Sequence, residues 1–261
     1  MTARLLRFEF YKFIRQKSFY ICTVILMALA VLSMVSVKIV ESSGIIPSFS
    51  VAPVVALLSN VNDTFIMLAG IFVALLVCGD FSQQTVKNIY GRGFSKTQVF
   101  FAKFGVAVFG TFIMFVLNYA VSFILGLALF GEIELTGVII YDIVAQFAVS
   151  LAYVSFAFML SFAFRKTGVA IALTIVGPII VNLVLSLVSV IAKTEFSLTN
   201  YWISGILTKL SGASAELSEL SESMGSFGLT TGDINLCLII SLAYTAVFIA
   251  IGYYINKRKD G

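Results

Sequence analysis

A polar and basic island interrupts two strongly apolar runs at residues 79–100, GDFSQQTVKNIYGRGFSKTQVF. Two residue pairs in it are spaced as capping boxes, in which a short polar side chain and a glutamine three residues later bond each other's backbone N–H groups. The pairs are Asp80 with Gln83 and Ser95 with Gln98. A simple hydrophilic loop needs no helix start signals, so the island is predicted to be a rigid, cationic knob made of a helix, a tight turn and a second helix start.

The first box predicts a helix over residues 81–90 that ends at Gly91, a residue type that tolerates the left-handed conformation of a helix end. The second box, with Phe94 and Val99 as a hydrophobic staple, starts the next helix about two turns before the membrane. The apolar face of the short helix consists of Val86, Ile89 and Tyr90. The alternative is a solvated loop that only carries positive charge.

Enzymatic chemistry finds little support in the residues. The chain has no histidine, which removes the commonest metal ligand and the usual general base. Cys22, Cys78 and Cys237 lie in apolar runs and are expected to be buried thiols. Asp142 and Asp233 fall at the outer ends of predicted spans, whereas an acid dyad needs adjacent carboxylates. There is also no Gly-x-x-x-x-Gly-Lys-Ser/Thr phosphate loop, so we expect no catalytic or metal site and no bound ATP in this chain.

Composition places the elements around the island in a lipid bilayer. Of the 261 residues, 60% are hydrophobic and 11% are charged, against about 45–50% and about 25% in soluble domains. Six runs are long enough, or nearly so, to span about 30 Å of hydrocarbon. The predicted spans are residues 19–37, 60–79, 104–130, 143–164, 169–192 and 234–255. Gly177-Pro178 predicts a kink or break in the fifth span.

The distribution of charge predicts the orientation. All but three of the 17 lysine and arginine residues fall before span one, between spans two and three, between four and five, or after six. The exceptions are Lys38, Lys193 and Lys209. By the positive-inside rule, both termini are cytoplasmic. Apart from Asp63, expected at the outer mouth of span two, the predicted span interiors lack charged residues, which argues against a self-sufficient proton-coupled carrier.

Two segments outside the spans carry their own patterns. Residues 1–17 place Leu6, Phe10, Phe13 and Ile14 at helical spacing, which predicts a helix on the inner membrane surface with Glu9 and Lys12 on its polar face. A signal peptide cleaved near residue 30 is the alternative, but the apolar run continues past it. The outer segment 193–233 is too long for a simple turn. It predicts one or two small helices, a patch around Trp202 at the interface, and a water-facing helix within 213–224.

At the island the sequence resembles the type-2 family of ABC transporter permeases. The resemblance is carried by an acidic-aromatic pair that leaves span two, a threonine before a basic position, a glycine-bearing turn and a basic start to span three. The matching residues are Asp80, Phe81, Thr85, Lys87, Ser95, Lys96 and Lys103. In layout the resemblance covers the whole chain, but Asp80 stands where the family often has glutamate and Arg92-Gly93-Phe94 replaces a commoner proline-containing turn.

The resemblance implies an all-α membrane fold with one permease domain over 1–261. Its parts are an N-terminal interfacial helix, six transmembrane helices, a cytoplasmic coupling helix and turn at 80–95, and a short helical extracellular segment. The coupling helix of the family docks on a separate ATP-binding subunit, which holds ATP and Mg. The residues expected to couple to that ATPase are Asp80, Phe81, Thr85, Val86, Lys87, Ile89, Tyr90 and Arg92. The weaker candidates for a substrate conduit are Asn118, Asn182 and Pro178, although the two asparagines equally suit hydrogen bonds between helices.

The function that the resemblance implies is the permease subunit of a bacterial ABC exporter in the plasma membrane. The expected partners are the ATP-binding subunit, a second permease copy or paralogue, and membrane lipid, with no nucleic acid. The 25 phenylalanines suit an amphipathic substrate, for which a peptide such as a bacteriocin or toxin is favoured. Drug, lipid or ion efflux by the same family remains an alternative, and a non-ABC channel or structural membrane protein is another.

Overall fold

The computed structural model describes residues 2–42, 63–82, 85–91, 93–130, 137–191, 198–210 and 231–258. Every secondary-structure element within these ranges is a helix. The helices are α1 (Thr2–Ile14), α2 (Lys17–Ser42), α3 (Asp63–Ser82), α4 (Thr85–Gly91), α5 (Lys96–Phe130), α6 (Gly137–Phe164), α7 (Thr167–Ile191), a 3-10 helix (Leu198–Tyr201), α8 (Ile203–Leu210) and α9 (Thr231–Arg258). Six of them, α2, α3, α5, α6, α7 and α9, are long and apolar enough to cross a membrane. The predicted all-α fold with six membrane spans is confirmed.

The helix boundaries differ from the predicted ones mainly at the island. The second span, predicted to end at Gly79, continues to Ser82, whereas the third helix begins at Lys96, where the second capping box predicted its start. Asp80 is therefore inside the last turn of α3 and does not cap the short helix, so that prediction was wrong. The short helix predicted over 81–90 is α4, at Thr85–Gly91.

The fifth span is a continuous helix through Gly177-Pro178, where the sequence predicts a kink or break. Pro178 lies inside α7, and the helix runs through it from Thr167 to Ile191. A proline removes one backbone donor, but neighbouring groups in a membrane helix can satisfy the carbonyl that it frees. The side chain of Pro178 is buried. The prediction of a break was therefore wrong, and the alternative of a kink stays a prediction.

Helices α3 and α6 form the centre of the bundle. In their most apolar 18-residue stretches 61% of residues are buried, against 11% in α7 and 17% in α9. Helix α6 packs against α3, α7 and α9, while α2 packs against α3 and α5. Small residues allow the close approaches, since a Cβ added at Gly70 of α3 would lie 2.6 Å from Thr174 Cγ2 of α7. Such contacts are typical of helix packing in membranes.

The outer surfaces of α7 and α9 are apolar and exposed in the part of the chain that the structure describes. Large side chains on α7 such as Ile180, Leu183 and Leu187 are about half exposed, and Ile239 of α9 is 66% exposed. In a bilayer such surfaces face lipid or another protein, because lipid tails are as apolar as leucine.

Helix α1 packs against the start of α5. The face that it buries there differs from the apolar face predicted from the helical spacing of its hydrophobic residues. Leu5, Glu9 and Phe13, which follow one another at intervals of four, are 3%, 4% and 2% exposed. Glu9, predicted to face water, is therefore buried in the bundle. Leu6 and Ile14 of the predicted apolar face are exposed, so the position of α1 at the membrane surface stays a prediction.

The segment after α7 contains the expected small helices, namely the 3-10 helix and α8. Trp202, predicted to sit at the membrane interface, is only 8% exposed and packs between Phe156 and Tyr244 at ring-centroid distances of 6.5 and 5.6 Å. Helix α8 is tied to the start of α3, because the Ser204 hydroxyl donates a 2.8 Å hydrogen bond to Asp63. The helix predicted within 213–224 lies outside the described residues.

Candidate ATPase-coupling site

Four charged side chains meet where α1, α3 and α5 come together, and we call them the charge cluster: Glu9, Lys12, Asp80 and Lys103. The Asp80 carboxylate contacts the ammonium groups of both Lys12 and Lys103. The Lys103 Nζ also lies 3.2 Å from Glu9 Oε1. Asp80 and Lys103 are 3% and 1% exposed. Three helices are therefore joined by ion pairs shielded from solvent.

The cluster is balanced in charge, with two carboxylates against two ammonium groups. Balance matters because an unpaired buried charge costs several kcal/mol, whereas a paired and hydrogen-bonded one does not carry that full cost. The pKa of Lys12 is lowered to about 8, mainly by burial and also by the neighbouring Lys103 ammonium, while Glu9 opposes this shift. Lys12 is the cluster member with access to solvent, since its side chain is 32% exposed.

Two features of the sequence bear on this cluster: Asp80 follows predicted span two by one residue, and Lys103 precedes predicted span three by one residue. Because α3 is longer than predicted, Asp80 lies within a span helix, as Lys103 does, and both charges need partners. Glu9 and Lys12 supply those partners from α1, and the spacing of three residues puts them on neighbouring positions of one helix face. Only the tertiary fold brings α1 next to them.

The turn between α4 and α5 has the predicted capping chemistry at its second box. The Ser95 backbone N–H donates to Gln98 Oε1 at 3.2 Å, and the Gln98 N–H donates to Ser95 Oγ at 3.3 Å. The left-handed residue is Gly93, with a φ of +84°, and its N–H donates to the Tyr90 carbonyl at 2.9 Å. Helix α4 ends at Gly91, as predicted, but the residue of this turn in the left-handed conformation is Gly93.

A small apolar cluster fixes α4 to the rest of the chain. Ile89 is 6% exposed and packs with Leu5 of α1 and with Val99 and Ala102 of α5. Tyr90 and Phe94 pack against the edge of this cluster, so Phe94 and Val99, the two residues of the predicted staple, belong to one apolar group. Ile89, predicted to dock on the ATPase, already has its partners within the chain, whereas Tyr90 is half-buried and retains a free side.

Aromatic and cationic contacts hold the end of α3 from its other side. The ring of Phe81 packs edge-on against Phe162 of α6 at 5.4 Å, and the Arg165 guanidinium lies 5.1 Å from its centroid. Arg165 has a φ of +55°, a left-handed conformation uncommon for a residue with a side chain. Burial raises the pKa of Tyr90, while the charges of Arg165 and Lys103 oppose that rise.

Of the other predicted coupling residues, Thr85 is half-buried at the start of α4. Arg92 and the side chains of Val86 and Lys87 lie outside what the structure describes. The structure places Asp80 and Phe81 at the end of α3 and Ile89 and Tyr90 on α4, and their joint role in coupling stays a prediction. It places Asp80, Phe81 and Ile89 in contacts inside the chain.

The predicted conduit residues are not brought together. Asn118 of α5 is 2% exposed and lines a cavity of about 470 Å³ with residues of α2 and α3, among them Ala30 and Phe65. Asn182 and Pro178 lie on α7, which does not line this cavity. Asn182 is half-buried and Pro178 is buried.

A second polar network, which the sequence did not reveal, lies at the opposite end of the bundle. The Tyr119 hydroxyl of α5 donates to Gln146 Oε1 at 2.5 Å. The Gln146 amide donates to Asp142 Oδ2 at 3.2 Å and to the Leu210 carbonyl of α8 at 3.0 Å. Asp142, expected at the outer end of its span, is 5% exposed. This network attaches α8 to α5 and α6.

Six spans with a short, internally anchored helix between the second and third define a multi-pass membrane protein. Comparison with protein families gives the particular one. The chain belongs to the ABC-2 family of transporter proteins, whose model matches residues 5–189, from α1 to near the end of α7. Comparison with curated proteins gives no match. The chain is thus a multi-pass permease subunit of an ABC transporter, is not itself the catalytic subunit, and associates with an ATP-binding subunit.

Proposed function

We propose that this permease exports an amphipathic substrate, a peptide such as a bacteriocin or toxin being favoured, from a bacterial cell. In the proposed assembly, two six-span permeases, identical or paralogous, work with two ATP-binding subunits that carry ATP and Mg. Membership of the ABC-2 family is the observation that carries the proposal. The apolar outer surfaces of α7 and α9 support a second permease as partner, since a protein could cover them.

In the proposed coupling step, α4 is the element that the ATPase moves. Tyr90 supplies the apolar contact, and Val86, Lys87 and Arg92 complete the docking surface. Buried apolar anchors usually carry most of the binding energy and rim charges carry little. Ile89 and Asp80 contribute through contacts within the chain: Ile89 attaches α4 to α1 and α5, and Asp80 attaches α3 to the same two helices. A movement of α4 would then be transmitted to α1, α3 and α5.

The proposed orientation places both termini, α4 and the charge cluster in the cytoplasm and α8 outside the cell. Support comes from the excess of lysine and arginine on that side. The same orientation puts the cavity beside Asn118 in the outer half of the membrane, since Thr64 and Phe65 at the start of α3 line it. We therefore propose Asn118 as a contact of the outgoing substrate and assign a weaker role to Asn182 and Pro178.

Reconstitution of the permease with its ATP-binding subunit tests the proposal. Inside-out vesicles should accumulate an amphipathic peptide when ATP is supplied outside, and the peptide should stimulate ATP hydrolysis. A catalytically inactive ATPase is the control for leak. Accumulation of a drug, a lipid or an ion in place of the peptide would replace the substrate assignment. Uptake by right-side-out vesicles with ATP inside would reverse the direction.

A further inference from the structure

A second cavity, of about 560 Å³, lies between α1, the start of α2, the end of α3 and the start of α7. Its walls differ in character. One part is polar and includes Lys12, Arg15 and Gln16, while another is apolar and includes Phe8, Leu75 and Leu76. A water-soluble ligand would gain little from the apolar wall, and a hydrocarbon would gain little from the cations. The lining therefore suits an amphiphile.

The position of the cavity along the spans agrees with that chemistry. Helix α3 ends and helices α2 and α7 begin beside it, so its polar part lies at the end of the membrane-crossing helices. Leu75 is seven residues before the end of α3, which at 1.5 Å per residue is about 10 Å deeper along the helix axis. The cavity thus runs from headgroup level toward the hydrocarbon region, in the direction that a lipid occupies.

The charge at the polar end selects an anion. Lys12 and Lys103 balance Glu9 and Asp80, so Asp80 presents no free charge to the cavity. The positive charge of Arg15 is not part of this balanced cluster. Its guanidinium lies 4.6 Å from the Tyr11 ring centroid, and within the part of the chain that the structure describes it has no carboxylate partner. Guanidinium groups bind phosphate through two parallel hydrogen bonds.

We propose that this cavity is a binding site for one anionic phospholipid, whose phosphate is bound by Arg15 and whose acyl chain lies along Leu75 and Leu76. Lipid bound there would lie against α1, α2, α3 and α7 and against the solvent-accessible member of the charge cluster. The site belongs to the permease itself and does not depend on which substrate is transported.

Native mass spectrometry of the purified full-length permease tests the site by titration with phosphatidylglycerol and, separately, phosphatidylcholine. The wild type should retain phosphatidylglycerol roughly tenfold more tightly, the factor that corresponds to 1.4 kcal/mol. Arg15→Gln should remove that preference. Arg7→Gln is the matched control, because Arg7 is exposed on α1 and does not line the cavity. Both side chains are exposed, so both variants should fold and elute as the wild type does.

Three results would overturn the proposal. Equal loss of phosphatidylglycerol in Arg7→Gln and Arg15→Gln would mean that α1 only attracts anionic lipid in general. Equal retention of the two lipids by the wild type would mean that the cavity does not distinguish their headgroups. Release of phosphatidylglycerol by millimolar inorganic phosphate, with no competing lipid present, would mean that the cavity binds the anion without its acyl chain.

Discussion

At the residue scale, the charge cluster is the feature with the largest consequence. A buried ion pair adds little net stability over an apolar pair of the same shape, but removal of one partner leaves an uncompensated charge. Substitution of Lys103 should be the most destabilising, because the residue is 1% exposed and its ammonium group contacts both carboxylates of the cluster. The cluster therefore specifies how α1 sits against α3 and α5 more than it stabilises the bundle.

Substitution of Lys103→Met is expected to destabilise the permease by about 3–5 kcal/mol, since Asp80 and Glu9 would share only Lys12. The double substitution Lys103→Met with Asp80→Asn should recover much of this loss, because Glu9 and Lys12 then balance. Thermal unfolding in detergent measures both variants. Lys17→Met, at an exposed position, is the control and should change little. A double variant no more stable than the single one would argue against pairing as the cause.

Lys12 should react unusually fast with amine-acylating reagents near neutral pH. Its pKa of about 8 leaves about half of the side chain as neutral amine at pH 8, whereas an ordinary lysine has well under 1% in that form. Peptide mapping after brief acylation at pH 8 should find residue 12 modified ahead of the exposed Lys257. In Lys103→Met the pKa of Lys12 should rise, because a neighbouring positive charge is removed, and the reaction should slow. Equal rates at residues 12 and 257 would contradict the assignment.

At the element scale, close packing of aromatic rings against a glycine sets the positions of α1, α3 and α5. A Cβ at Gly110 of α5 would lie 2.8 Å from Phe72 of α3 and 2.9 Å from Phe13 of α1. The sequence showed that Phe13 lies on an apolar face and that α5 crosses the membrane, but periodicity along one helix does not say which neighbour covers it. The pairing of α1 with α5, and hence the burial of Glu9, depends on this contact between helices distant in sequence.

Gly110→Ala should therefore loosen α1 from the bundle at a cost of about 1–3 kcal/mol, because the rings of Phe72 and Phe13 would have to move. Gly105→Ala on the same helix is the matched control, since nothing lies within 4 Å of its added Cβ. There the substitution should be neutral or slightly stabilising, as alanine favours a helix. Thermal unfolding and proteolysis near residue 15 measure the difference. Equal behaviour of the two variants would show that the α1 contact is loose.

At the scale of the whole molecule, the six spans could be predicted because apolar length and charge follow from composition along the chain. The capping box at Ser95 could be predicted as well, since its two residues are three positions apart and form their bonds locally. The charge cluster and the network of Tyr119, Gln146 and Asp142 could not, because their members come from different helices. Asp80 shows the limit most clearly: its type and position match a cap, but burial beside Lys103 decides its role.

Orientation is a property of the whole chain, and accessibility labelling tests it. In a background without the three native cysteines, a cysteine at Glu132 or Ser221 should react with an impermeant thiol reagent on intact cells. A cysteine at Arg92 should react only after the membrane is permeabilised. The expectation rests on the excess of lysine and arginine on the side of Arg92. Labelling at residue 92 in intact cells would reverse the proposed orientation.

Coupling to the ATPase involves single residues, helices and the whole molecule, because a force on α4 must be transmitted through buried contacts to the membrane spans. Tyr90 has a free side for docking, so Tyr90→Ala should weaken co-purification of the ATP-binding subunit and reduce substrate-stimulated ATP hydrolysis by roughly tenfold, the loss expected of one anchor. Lys87→Ala, the removal of a rim charge, should do less.

Ile89→Ala should behave differently from both: it removes a contact with Leu5 and Val99 inside the chain, so the ATPase should still bind while stimulation falls and the melting temperature drops. All three variants should insert into the membrane, which surface accessibility can verify. If the double variant Ile89→Ala with Tyr90→Ala bound and stimulated its ATPase as the wild type does, α4 would be only a connecting segment and the coupling surface would have to lie elsewhere on the cytoplasmic face.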